Sequence, residues 1–445
     1  MALSRRSFLL RSGITAAGLI GASQWGESIN ANASSPHAFP ASIDTISIPL
    51  RDWSGFNVLG ESAVVLAPRT ETEVAEIVRR CRSQSRKCRV VGNRTSSNVK
   101  WYGEPDTVIM STVHLDALSI DQDAGTVTCG PGLMMERLHR EAWSNGLTLS
   151  TSPAPPWVTI GGAVATGSHG SLIAGSLATS LLSCRMVTGD GSVIAMDRDH
   201  PDFDAVRISM GMMGVMTELT LKLDPAYRLT LVKQPIATAN WQQALLDSGP
   251  MSFIQASTRG GTSTLFQVQP EKTTGTLSNN VEKGKDAQGH FSMSGPAHLV
   301  VMNYQAPSPT IAGGEWAIPI ERFQEVMTSF ESMDAILPDI VWLKKVKGES
   351  AYLAGGNNPE KTYVQFGSYH AVTGNQSPHK VIDMVKRIET LMLRVGGRPH
   401  LGKLSYLNPD EMLKVYPELK RFQIARRRFD PDNIFYTKRL AQLFG

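Results

Sequence analysis

The sequence predicts an α+β fold, and three observations support this class. The chain has 445 residues, of which 41% are hydrophobic, so it can bury a large core. From residue 63 onward, short apolar strand patterns alternate with amphipathic helix patterns. Beyond the N-terminus no uncharged apolar run reaches about 18 residues, so we expect no membrane span in the mature chain. The 44 basic residues nearly balance the 40 acidic ones, which argues against a nucleic-acid partner.

The N-terminus has the pattern of an export signal. Arg5 and Arg6 precede a weakly apolar stretch at residues 13–22, and a small-residue cleavage pattern follows at residues 31–33. This arrangement resembles a twin-arginine (Tat) signal peptide over residues 1–33. A buried helix of the mature fold is the competing interpretation, but glycines interrupt the stretch. The expected location is therefore the periplasm or the outside of the cell.

The first half of the chain contains strand and helix patterns with recognisable ends. Thr70 precedes Glu73 and an apolar repeat, which is the pattern of a capped helix. Gly146 follows the next helical pattern, where a left-handed backbone is expected. Gly189-Asp190-Gly191 joins two strand patterns and indicates a hairpin. The expected strands cover residues 64–66, 89–91, 106–110, 125–129, 185–187, 192–196 and 217–223, and the expected helices cover residues 71–78 and 133–145.

The second half changes character after Pro225. Residues 260–289 are rich in Thr, Ser, Gly and Lys, and they predict loops and hairpins at the edge of a second domain. Helical patterns resume at residues 321–333 and 380–395, and the latter is amphipathic. This change of composition indicates a second packed unit.

Cysteine and histidine spacing indicates neither a disulfide framework nor a metal site. The four cysteines could pair in an oxidising compartment, but a chain of this size needs no such links, and buried thiols are the simpler expectation. His169 and His400 each lack neighbours at metal-ligand spacing. We therefore predict no metal.

Two glycine-rich segments could hold a phosphate group. A pyrophosphate can be bound by consecutive backbone N–H groups only where side chains do not obstruct it, so glycines and small hydroxyl residues cluster at such sites. Residues 90–98 and 159–171 both have this composition. Tight packing is the alternative explanation for either segment alone. No Rossmann fingerprint is present, because no G-x-G-x-x-G opens a helix early in the chain.

Together, in this order, the two segments resemble the flavin-binding domain of the vanillyl-alcohol oxidase superfamily, the PCMH-type FAD-binding fold. Trp53-Ser54-Gly55 and Gly214-Val215 resemble two further segments of that domain, and residues 397–403 resemble a motif of its sugar 1,4-lactone (aldonolactone) and alditol oxidase branch. The resemblance implies a two-subdomain FAD-binding domain at residues 40–225 and an α+β substrate (cap) domain with an antiparallel sheet at residues 226–395. A C-terminal segment, residues 396–445, would return to the FAD-binding domain.

The resemblance also implies which residues contact FAD. The implied contacts are Gly92, Asn93, Arg94, Thr95, Ser96, Ser97, Asn98, Gly161, Gly162, Thr166, Gly167, His169, Gly170, Ser171, Gly214 and Val215. Thr95 stands where covalent members have a histidine, so non-covalent, dissociable FAD is expected. Arg94 replaces a usual glycine, and its guanidinium either touches the pyrophosphate or points outward.

The implied substrate pocket departs from the branch. Ala154 falls where the alditol oxidases have a serine, and Trp342 and Lys344 fall where they have a Glu-x-Arg pair. On this alignment the carboxylate is lost and only a cation remains. A polyol would then lose hydrogen-bond partners, at roughly 1–3 kcal/mol for each buried polar group left unpaired. A simple alditol is therefore not the expected substrate.

Three residues are the implied catalytic groups. Flavin oxidation of a carbinol requires a group that accepts or orients the hydroxyl proton and positive charge that stabilises reduced flavin. His400 would take the proton or hydrogen-bond the substrate, and Lys403 would stabilise negative charge. Lys344 is a further substrate contact. Without the resemblance, a solvated lysine and a satisfied core histidine would be the simpler interpretations of Lys403 and His400.

These features predict an exported FAD-dependent oxidoreductase that oxidises a CH–OH group of a sugar lactone or polyol-like substrate by hydride transfer to flavin N5. Oxygen, a cytochrome or a quinone would reoxidise the flavin. The missing pocket residues keep two alternatives open. One is an enzyme for a bulkier apolar alcohol, such as a sterol or secondary metabolite, and the other is a degenerate FAD-binding protein without turnover.

Overall fold

The computed structural model describes residues 39–52, 54–98, 103–104, 106–170, 175–257, 262–271, 278–302, 311–331, 338–371 and 378–445. The predicted signal peptide at residues 1–33, Trp53 of the N-terminal motif and Ser171 of the second glycine-rich segment lie outside the described residues.

The described residues form strands and helices in the following order along the chain. The strands are β1 (Thr45–Arg51), β2 (Val58–Leu66), β3 (Cys88–Val91), β4 (Val108–Ser111), β5 (Leu118–Asp121), β6 (Thr126–Cys129), β7 (Leu147–Thr148), β8 (Leu181–Val187), β9 (Val193–Asp197), β10 (Val215–Lys222), β11 (Asp224–Pro225), β12 (Arg228–Ala237), β13 (Phe253–Ser257), β14 (Thr262–Pro270), β15 (Glu282–Lys285), β16 (Phe291–Pro296), β17 (Ile311–Pro319), β18 (Ile340–Lys347), β19 (Thr362–Ala371) and β20 (Arg398–Pro399). The α-helices are α1 (Glu71–Ser83), α2 (Met135–Ser144), α3 (Ile160–Ala165), α4 (Phe203–Arg207), α5 (Trp241–Asp247), α6 (Ala297–Met302), α7 (Phe323–Glu331), α8 (Pro378–Arg394), α9 (Pro409–Val415), α10 (Leu419–Phe429) and α11 (Lys438–Phe444). Single 3₁₀ turns cover Leu177–Ser180, Thr238–Asn240 and Ile320–Arg322.

A mixed sheet and one helix form the N-terminal layer. The strand order is β1-β2-β4-β3, with β1 antiparallel to β2 and with β3 and β2 each parallel to β4. Helix α1 begins after Thr70, whose side chain accepts a hydrogen bond from the backbone N–H of Glu73, as the capping pattern predicts. Its apolar face, including Ile77 and Val78, shares a buried cluster with Leu66 of β2.

A five-stranded antiparallel sheet forms the second layer, in the order β5-β6-β10-β8-β9. Hydrophobic residues of β6, β8 and β10 pack with α2 and α3 in a buried cluster. Residues of the C-terminal helices, among them Phe422 and Leu440, belong to the same cluster. The end of the chain therefore packs on this layer, while the domain boundaries stay predictions.

A nine-stranded antiparallel sheet follows, in the order β15-β16-β12-β14-β13-β18-β19-β17-β20. Helices α5, α7 and α8 cover one face, where Phe323, Val385 and Phe366 are buried together. The hairpins expected at residues 260–289 include β14, which lies inside the sheet, and β15, which is an edge strand. This architecture is α+β with an antiparallel second sheet, which confirms the predicted fold class.

The ends of two helices, the state of the cysteines and the length of the helices can be compared with the sequence. Gly146 and Gly396 end helices with positive φ angles of 71° and 75°, as helix-terminating glycines do. Cys81, Cys88, Cys129 and Cys184 are all buried free thiols. Within the described residues, no helix combines the length and the apolar character that crossing a bilayer requires.

Candidate active site

A deep cavity lies between the two glycine-rich segments and the face of the nine-stranded sheet that is not covered by α8. Most of the residues proposed from the sequence line it: Gly92, Asn93, Arg94, Thr95, Ser96, Ser97, Asn98, Ala154, Gly161, Gly162, Thr166, His169, Gly214, Val215, Trp342, Lys344, His400 and Lys403. The fold therefore brings together residues more than 300 positions apart in the sequence, such as Gly92 and Lys403. Gly167 instead lines a second, smaller cavity beside the first.

The turn at residues 92–98 is held by hydrogen bonds to other parts of the chain. It follows strand β3, and Ser97 donates its backbone N–H to the carbonyl of Gly402 at 2.9 Å. The Asn93 side-chain amide donates to the carbonyl of Trp157 at 2.9 Å. Arg94 has a φ of 56°, a left-handed conformation that glycine adopts more easily. This explains why a glycine is usual at the position and a side chain is strained there.

The second segment is partly helical rather than a turn. Gly161 and Gly162 lie in α3, and a Cβ atom on Gly161 would come within 2.5 Å of the Pro131 Cβ. A Cβ atom on Gly170 would lie 1.8 Å from the carbonyl oxygen of Ser152, so glycine is required there by close backbone approach. Gly170 lines neither of the two cavities.

The cavity wall includes glycines where no side chain can be placed. A Cβ on Gly92 would lie 2.1 Å from the Thr159 hydroxyl, and one on Gly214 would lie 2.5 Å from the Val187 carbonyl oxygen. Glycine at these positions lets the wall present backbone rather than side chains, which is what recognition of a pyrophosphate by N–H groups requires. The residues present therefore fit a dinucleotide cofactor. Among the described residues, no group of three His, Cys, Asp or Glu side chains could hold a metal ion.

Three strands place polar side chains on one face of the sheet toward the cavity. In the register of the sheet, Gly367 of β19 lies opposite Glu315 of β17 on one side and opposite Trp342 of β18 on the other. Two residues from the Trp342–Gly367 pair, Lys344 of β18 lies opposite Gln365 of β19. Because side chains alternate between faces with a period of two, these residues share one face. Gly367 has no side chain and leaves room over the strand for the Tyr369 ring.

Glu315 is the centre of a buried charged cluster. Its Oε1 lies 3.8 Å from Nζ of Lys344 and 3.3 Å from Nε2 of His169. Its Oε2 accepts a hydrogen bond from the Tyr369 hydroxyl at 3.1 Å. Burial by itself would raise the pKa of Glu315, but the neighbouring His169, Lys344, His400 and Lys403 outweigh burial and hold the pKa well below its usual range. Glu315 is therefore an ionised carboxylate inside the protein.

Both lysines of the site, Lys344 and Lys403, have lowered pKa values. Burial lowers the pKa of Lys344, Glu315 opposes this effect and Lys403 adds to it. Burial also lowers the pKa of Lys403, and Glu315 and Asp52 oppose it. The Nζ atom of Lys403 lies 5.8 Å from the centre of the Tyr369 ring. The paired carboxylate thus keeps two cations stable in one buried cavity.

His400 is oriented as a hydrogen-bond donor. The backbone N–H of Gly402 donates to its Nδ1 at 3.0 Å, so the neutral ring carries its proton on Nε2. Burial is the main reason that the pKa of His400 falls to about 4. The neutral His400 ring therefore has a donor at Nε2 and no free acceptor nitrogen.

The expectation that the site lacks a carboxylate is wrong. Trp342 and Lys344 occupy β18 as the alignment implied, but Glu315 enters the same cavity from β17, on the far side of β19. In the sequence, Glu315 stands in an apolar segment that ends in Pro319. Sequence reasoning also missed Tyr369 and Gln365, because nothing in a single strand reveals its partner strands. The signal that could have revealed Glu315 is a single Glu at an inward position of an apolar strand, because a buried charge needs a partner.

Apolar groups form another part of the cavity wall. Pro153, Ala154, Pro155 and Ile311 line it, together with Trp342, whose ring centre lies 5.1 Å from that of Tyr369. The cavity therefore combines a charged cluster with an apolar wall, which is the usual character of a small-molecule site.

The fold and the site define a flavin-dependent oxidoreductase. A family model for an FAD binding domain matches residues 62–197, and a model for D-arabinono-1,4-lactone oxidase matches residues 300–443. The chain therefore contains a PCMH-type FAD-binding domain and is an FAD-dependent oxidoreductase similar to the aldonolactone and alditol oxidases. This confirms the family, the enzyme class and the cofactor predicted from the sequence.

Curated relatives match nearly the whole chain at moderate identity. An alditol oxidase from a Streptomyces species is 25% identical over 89% of this chain and 99% of its own length. The L-gulonolactone oxidase of Mus musculus is 24% identical over 85% of this chain and 94% of its own length. The L-gulono-1,4-lactone dehydrogenase of Mycobacterium tuberculosis is 24% identical over 87% of this chain and 98% of its own.

Solved structures share the fold at lower identity. The cholesterol oxidase of Brevibacterium sterolicum superimposes with a TM-score of 0.77 at 14% identity, and the match covers 93% of this chain and 99% of that one. A solvent-stable cholesterol oxidase has a TM-score of 0.75 at 16% identity, covering 93% of this chain and 100% of that one. These similarities concern the fold and confirm the predicted architecture.

Proposed function

We propose that this enzyme oxidises a CH–OH group of a sugar lactone or polyol-like substrate in the cavity described above. The observation that carries the proposal is the buried carboxylate of Glu315, which lies beside the Lys344 ammonium and accepts a hydrogen bond from the Tyr369 hydroxyl. Such a cluster offers both donors and acceptors to a hydroxyl-rich molecule. The names of the relatives, alditol oxidase and L-gulonolactone oxidase, support the same substrate class.

When bound, FAD supplies the hydride acceptor at flavin N5 and passes the electrons to oxygen or to another acceptor such as a cytochrome or quinone. The chain's own residues position the substrate. Glu315 accepts hydrogen bonds from the substrate hydroxyls, Lys344 donates to its hydroxyl or lactone oxygens, and the Nε2–H of His400 donates to the reacting oxygen. The Lys403 ammonium supplies positive charge where negative charge develops. Because these side chains are buried, bulk water screens each of these interactions less.

The FAD is proposed to be non-covalent. Thr95 lines the cavity at the position where covalent members of the superfamily have a histidine. A threonine hydroxyl does not provide the imidazole of such a bond. Acid precipitation of the purified protein is then expected to release yellow FAD into the supernatant, and flavin fluorescence that stays with the denatured chain would show a covalent link.

The enzyme is also proposed to be exported to the periplasm or secreted by the Tat pathway. The support is the paired Arg5 and Arg6 ahead of the weakly apolar stretch. Replacing both arginines by lysine is expected to leave the protein in the cytoplasm, measured by fractionation of the producing cells. Unchanged export of this variant would contradict the proposal.

A bulkier apolar alcohol is the second candidate substrate. The apolar wall formed by Pro153, Ala154, Pro155 and Ile311 favours it, since such a surface offers no hydrogen bonds to a sugar. The two substrate classes predict opposite preferences in one assay. A degenerate, non-catalytic FAD-binding protein is the third outcome that the assay distinguishes.

The test is anaerobic titration of the FAD-loaded enzyme with sugar lactones, polyols and apolar alcohols, followed by the flavin absorption. Bleaching by a lactone or polyol is expected. Bleaching only by apolar alcohols would favour the second substrate class, and bleaching by none, in a protein whose flavin can be photoreduced, would favour the non-catalytic protein.

Two neighbouring lysines give a matched pair of variants for this assay. Lys344→Met removes the ammonium beside Glu315, while Lys345→Met removes one that donates to the carbonyls of Ser248 and Leu246 on the other face of β18. A hydrogen bond to a charged group is worth about 1.5–3 kcal/mol, so Lys344→Met should lower kcat/KM about 10- to 150-fold. Lys345→Met should leave kcat/KM nearly unchanged. An equal loss of kcat/KM in the two variants would show that Lys344 has no specific role in the site.

A further inference from the structure

A row of basic and aromatic side chains crosses the nine-stranded sheet and ends in the active site. Residues that lie opposite each other on neighbouring strands point to the same face of the sheet. The strand register and the ring contacts place six residues side by side, one on each strand from β15 to β18. In sheet order, this basic–aromatic row consists of Lys285, Phe291, Lys233, Phe266, Phe253 and Lys344. Because Lys344 lines the active-site cavity, the row lies on the face of the sheet that forms that cavity.

Contacts between neighbours hold the basic–aromatic row in place. The rings of Phe253 and Phe266 stack, with centres 4.4 Å apart and planes 8° apart. The Nζ atom of Lys233 lies 5.5 Å from the centre of the Phe266 ring and 5.0 Å from the centre of the Phe291 ring. An ammonium at this distance is attracted to the negative partial charge on the face of an aromatic ring. Lys233 is therefore oriented before any ligand binds.

The outer end of the row is open to solvent. Phe291 is 38% exposed, and Lys233 and Lys285 are exposed as well. Phe253 and Phe266 are partly buried and pack against an apolar cluster that includes residues of helix α6. Neighbouring strands lie about 4.8 Å apart, so five strand spacings separate the two ends of the row by roughly 24 Å. The row thus leads from the surface of the molecule to the active-site cavity.

This face of the sheet carries positive charge from β15 to β18. Among the described positions of these six strands that share the face, four are lysine and none is Asp or Glu. The four lysines are Lys233, Lys283, Lys285 and Lys344. Glu315 of β17 lies beside Lys344, at the inner end of the row only. The outer part of the face therefore attracts anionic groups.

We propose that the basic–aromatic row binds the anionic part of an extended substrate, which is a carbohydrate chain that carries carboxylate groups. The terminal CH–OH unit of this chain lies in the active-site cavity. Its carboxylates pair with Lys233 and Lys285, and the apolar C–H groups of its sugar rings contact Phe291. The assignment rests on the proposed function, because that function places a carbohydrate unit at the inner end of the row.

The first test measures binding to the FAD-loaded enzyme by calorimetry, without turnover. The probes are tetragalacturonate, an acidic sugar chain, and maltotetraose, a neutral chain of the same length. We expect tetragalacturonate to bind more tightly than maltotetraose, and its affinity should fall as ionic strength rises, because salt screens exposed charges. Equal affinities for the acidic and the neutral chain would overturn the proposal.

Two lysine variants identify the charges that bind the chain. Lys233→Met and Lys285→Met each remove one ammonium and keep an apolar side chain. Each should weaken tetragalacturonate binding about threefold, as the loss of an exposed ion pair does, and the double variant should weaken it about tenfold. Lys222→Met is the matched control, since it removes an exposed lysine from β10, which belongs to another sheet. Wild-type affinity for tetragalacturonate in the double variant would show that the row does not bind it.

An aromatic variant separates a carbohydrate site from a general anion site. Phe291→Ala removes the exposed ring, and tripolyphosphate is a probe that has negative charge but no sugar ring. We expect Phe291→Ala to weaken the binding of tetragalacturonate more than that of tripolyphosphate. An equal loss for both probes would show that the row recognises charge alone, and the carbohydrate assignment would then be wrong.

The flavin reports whether the row and the active site form one binding surface. Because the end of the bound chain enters the cavity, tetragalacturonate should shift the flavin absorption spectrum of the wild-type enzyme, and tripolyphosphate should not. An unchanged spectrum at saturating tetragalacturonate would disprove the continuity of the two sites.

Failure of the proposed function gives a different result from failure of the row. If the proposed function fails, no sugar lactone or polyol bleaches the flavin, whereas tetragalacturonate still binds and the lysine variants still weaken it. If the row fails, a lactone or polyol still bleaches the flavin, whereas the lysine variants bind tetragalacturonate as the wild type does.

Discussion

Glu315 is the residue on which the charge balance of the site depends. It is 7% exposed and lies among two lysines and two histidines whose proton affinities it alters. Removing it would leave the lysine cations in a buried cavity without their carboxylate, which is a costly arrangement. Its effect on catalysis and on the lysine pKa values can therefore be measured separately.

Glu315→Gln is expected to lower kcat/KM and to move the alkaline limb of its pH profile to lower pH. Glu315 raises the pKa of both lysines, so without it each ammonium loses its proton at lower pH. A nearby opposite charge shifts a pKa by about 1–3 units, which sets the expected displacement at about one unit or more. Glu321→Gln, in which the lost carboxylate is exposed and paired with Lys361, is the control. An alkaline limb at the same pH in wild type and Glu315→Gln would contradict the prediction that Glu315 raises the pKa of the two lysines.

The strained backbone of Arg94 allows a second comparison. Its left-handed φ of 56° costs about 1–2 kcal/mol for a residue with a side chain. Arg94→Gly relieves this strain and Arg94→Ala does not, so Arg94→Gly should be about 1 kcal/mol more stable than Arg94→Ala in urea unfolding. Both variants lose the guanidinium of a residue that lines the cavity, so both should bind FAD more weakly. Wild-type FAD affinity in Arg94→Ala would show that the guanidinium points outward.

At the scale of elements, the turn after helix α10 links the C-terminal tail to the FAD cavity. The carboxylate of Asp430 accepts hydrogen bonds from the backbone N–H groups of Ile434 and Phe435, at 2.7 and 2.9 Å. The Phe435 carbonyl in turn accepts from the guanidinium of Arg89 at 3.0 Å. Arg89 also donates to the carbonyls of Met210 and Gly211, and it lines the cavity. One chain of hydrogen bonds thus joins the C-terminal tail to strand β3 and to the wall of the FAD cavity.

Asp430→Ala should destabilise the protein and weaken FAD binding together. Two buried N–H groups would lose their acceptor, at about 1–3 kcal/mol each, and the support of Arg89 would loosen. Asp432→Ala, two residues away, removes an exposed carboxylate paired with Arg82 and should cost less than about 1 kcal/mol. Urea unfolding and FAD titration of both variants measure the difference. An Asp430→Ala variant that is destabilised but binds FAD with wild-type affinity would show that the C-terminal tail does not support the FAD cavity.

At the scale of the whole molecule, a pair of buried histidines joins the two halves of the structure. His139 of α2 stacks on His298 of α6 with ring centres 5.6 Å apart and planes 11° apart, and it hydrogen-bonds the hydroxyl of Ser152. Burial lowers the pKa of His139 to about 3, with the charge of His298 adding to it, and burial lowers the pKa of His298 to about 4. Both rings are therefore neutral in the folded protein near pH 6.

This pair should make the protein sensitive to acid. Below pH 6.5 the unfolded chain binds protons at these histidines and the folded chain does not, so the free energy of unfolding falls by up to about 1.4 kcal/mol per pH unit for each ring until pH reaches about 4. His298→Phe keeps a stacked ring and should reduce this slope by about one proton. Urea unfolding between pH 4 and about 7 measures it, with exposed His379→Phe as the control. Buried carboxyls with raised pKa act in the opposite direction, so the difference between variants is the decisive quantity. Equal slopes in wild type and His298→Phe would contradict the prediction.

Local pattern explains which parts of this protein were predictable from its sequence. The Thr70 cap, the helix-ending Gly146 and the two glycine-rich segments are signals carried by adjacent residues, and the structure forms the corresponding elements. The family, the enzyme class and FAD followed from the same segments. Gly161 and Gly162 were harder to interpret, because a glycine pair is compatible with either a turn or the short helix that is observed.

The tertiary structure alone decided the chemistry of the cavity. Glu315 reaches Lys344 only because β17 and β18 both pair with β19 in one register, and a shift of one residue would turn these side chains to the opposite face. The tautomer of His400 depends on its contact with Gly402, and the second cavity depends on Glu349 and His169, which are far apart in the chain. Family and cofactor are therefore determined by the sequence itself, whereas the charge pattern of the site is set by contacts between strands that no single segment encodes.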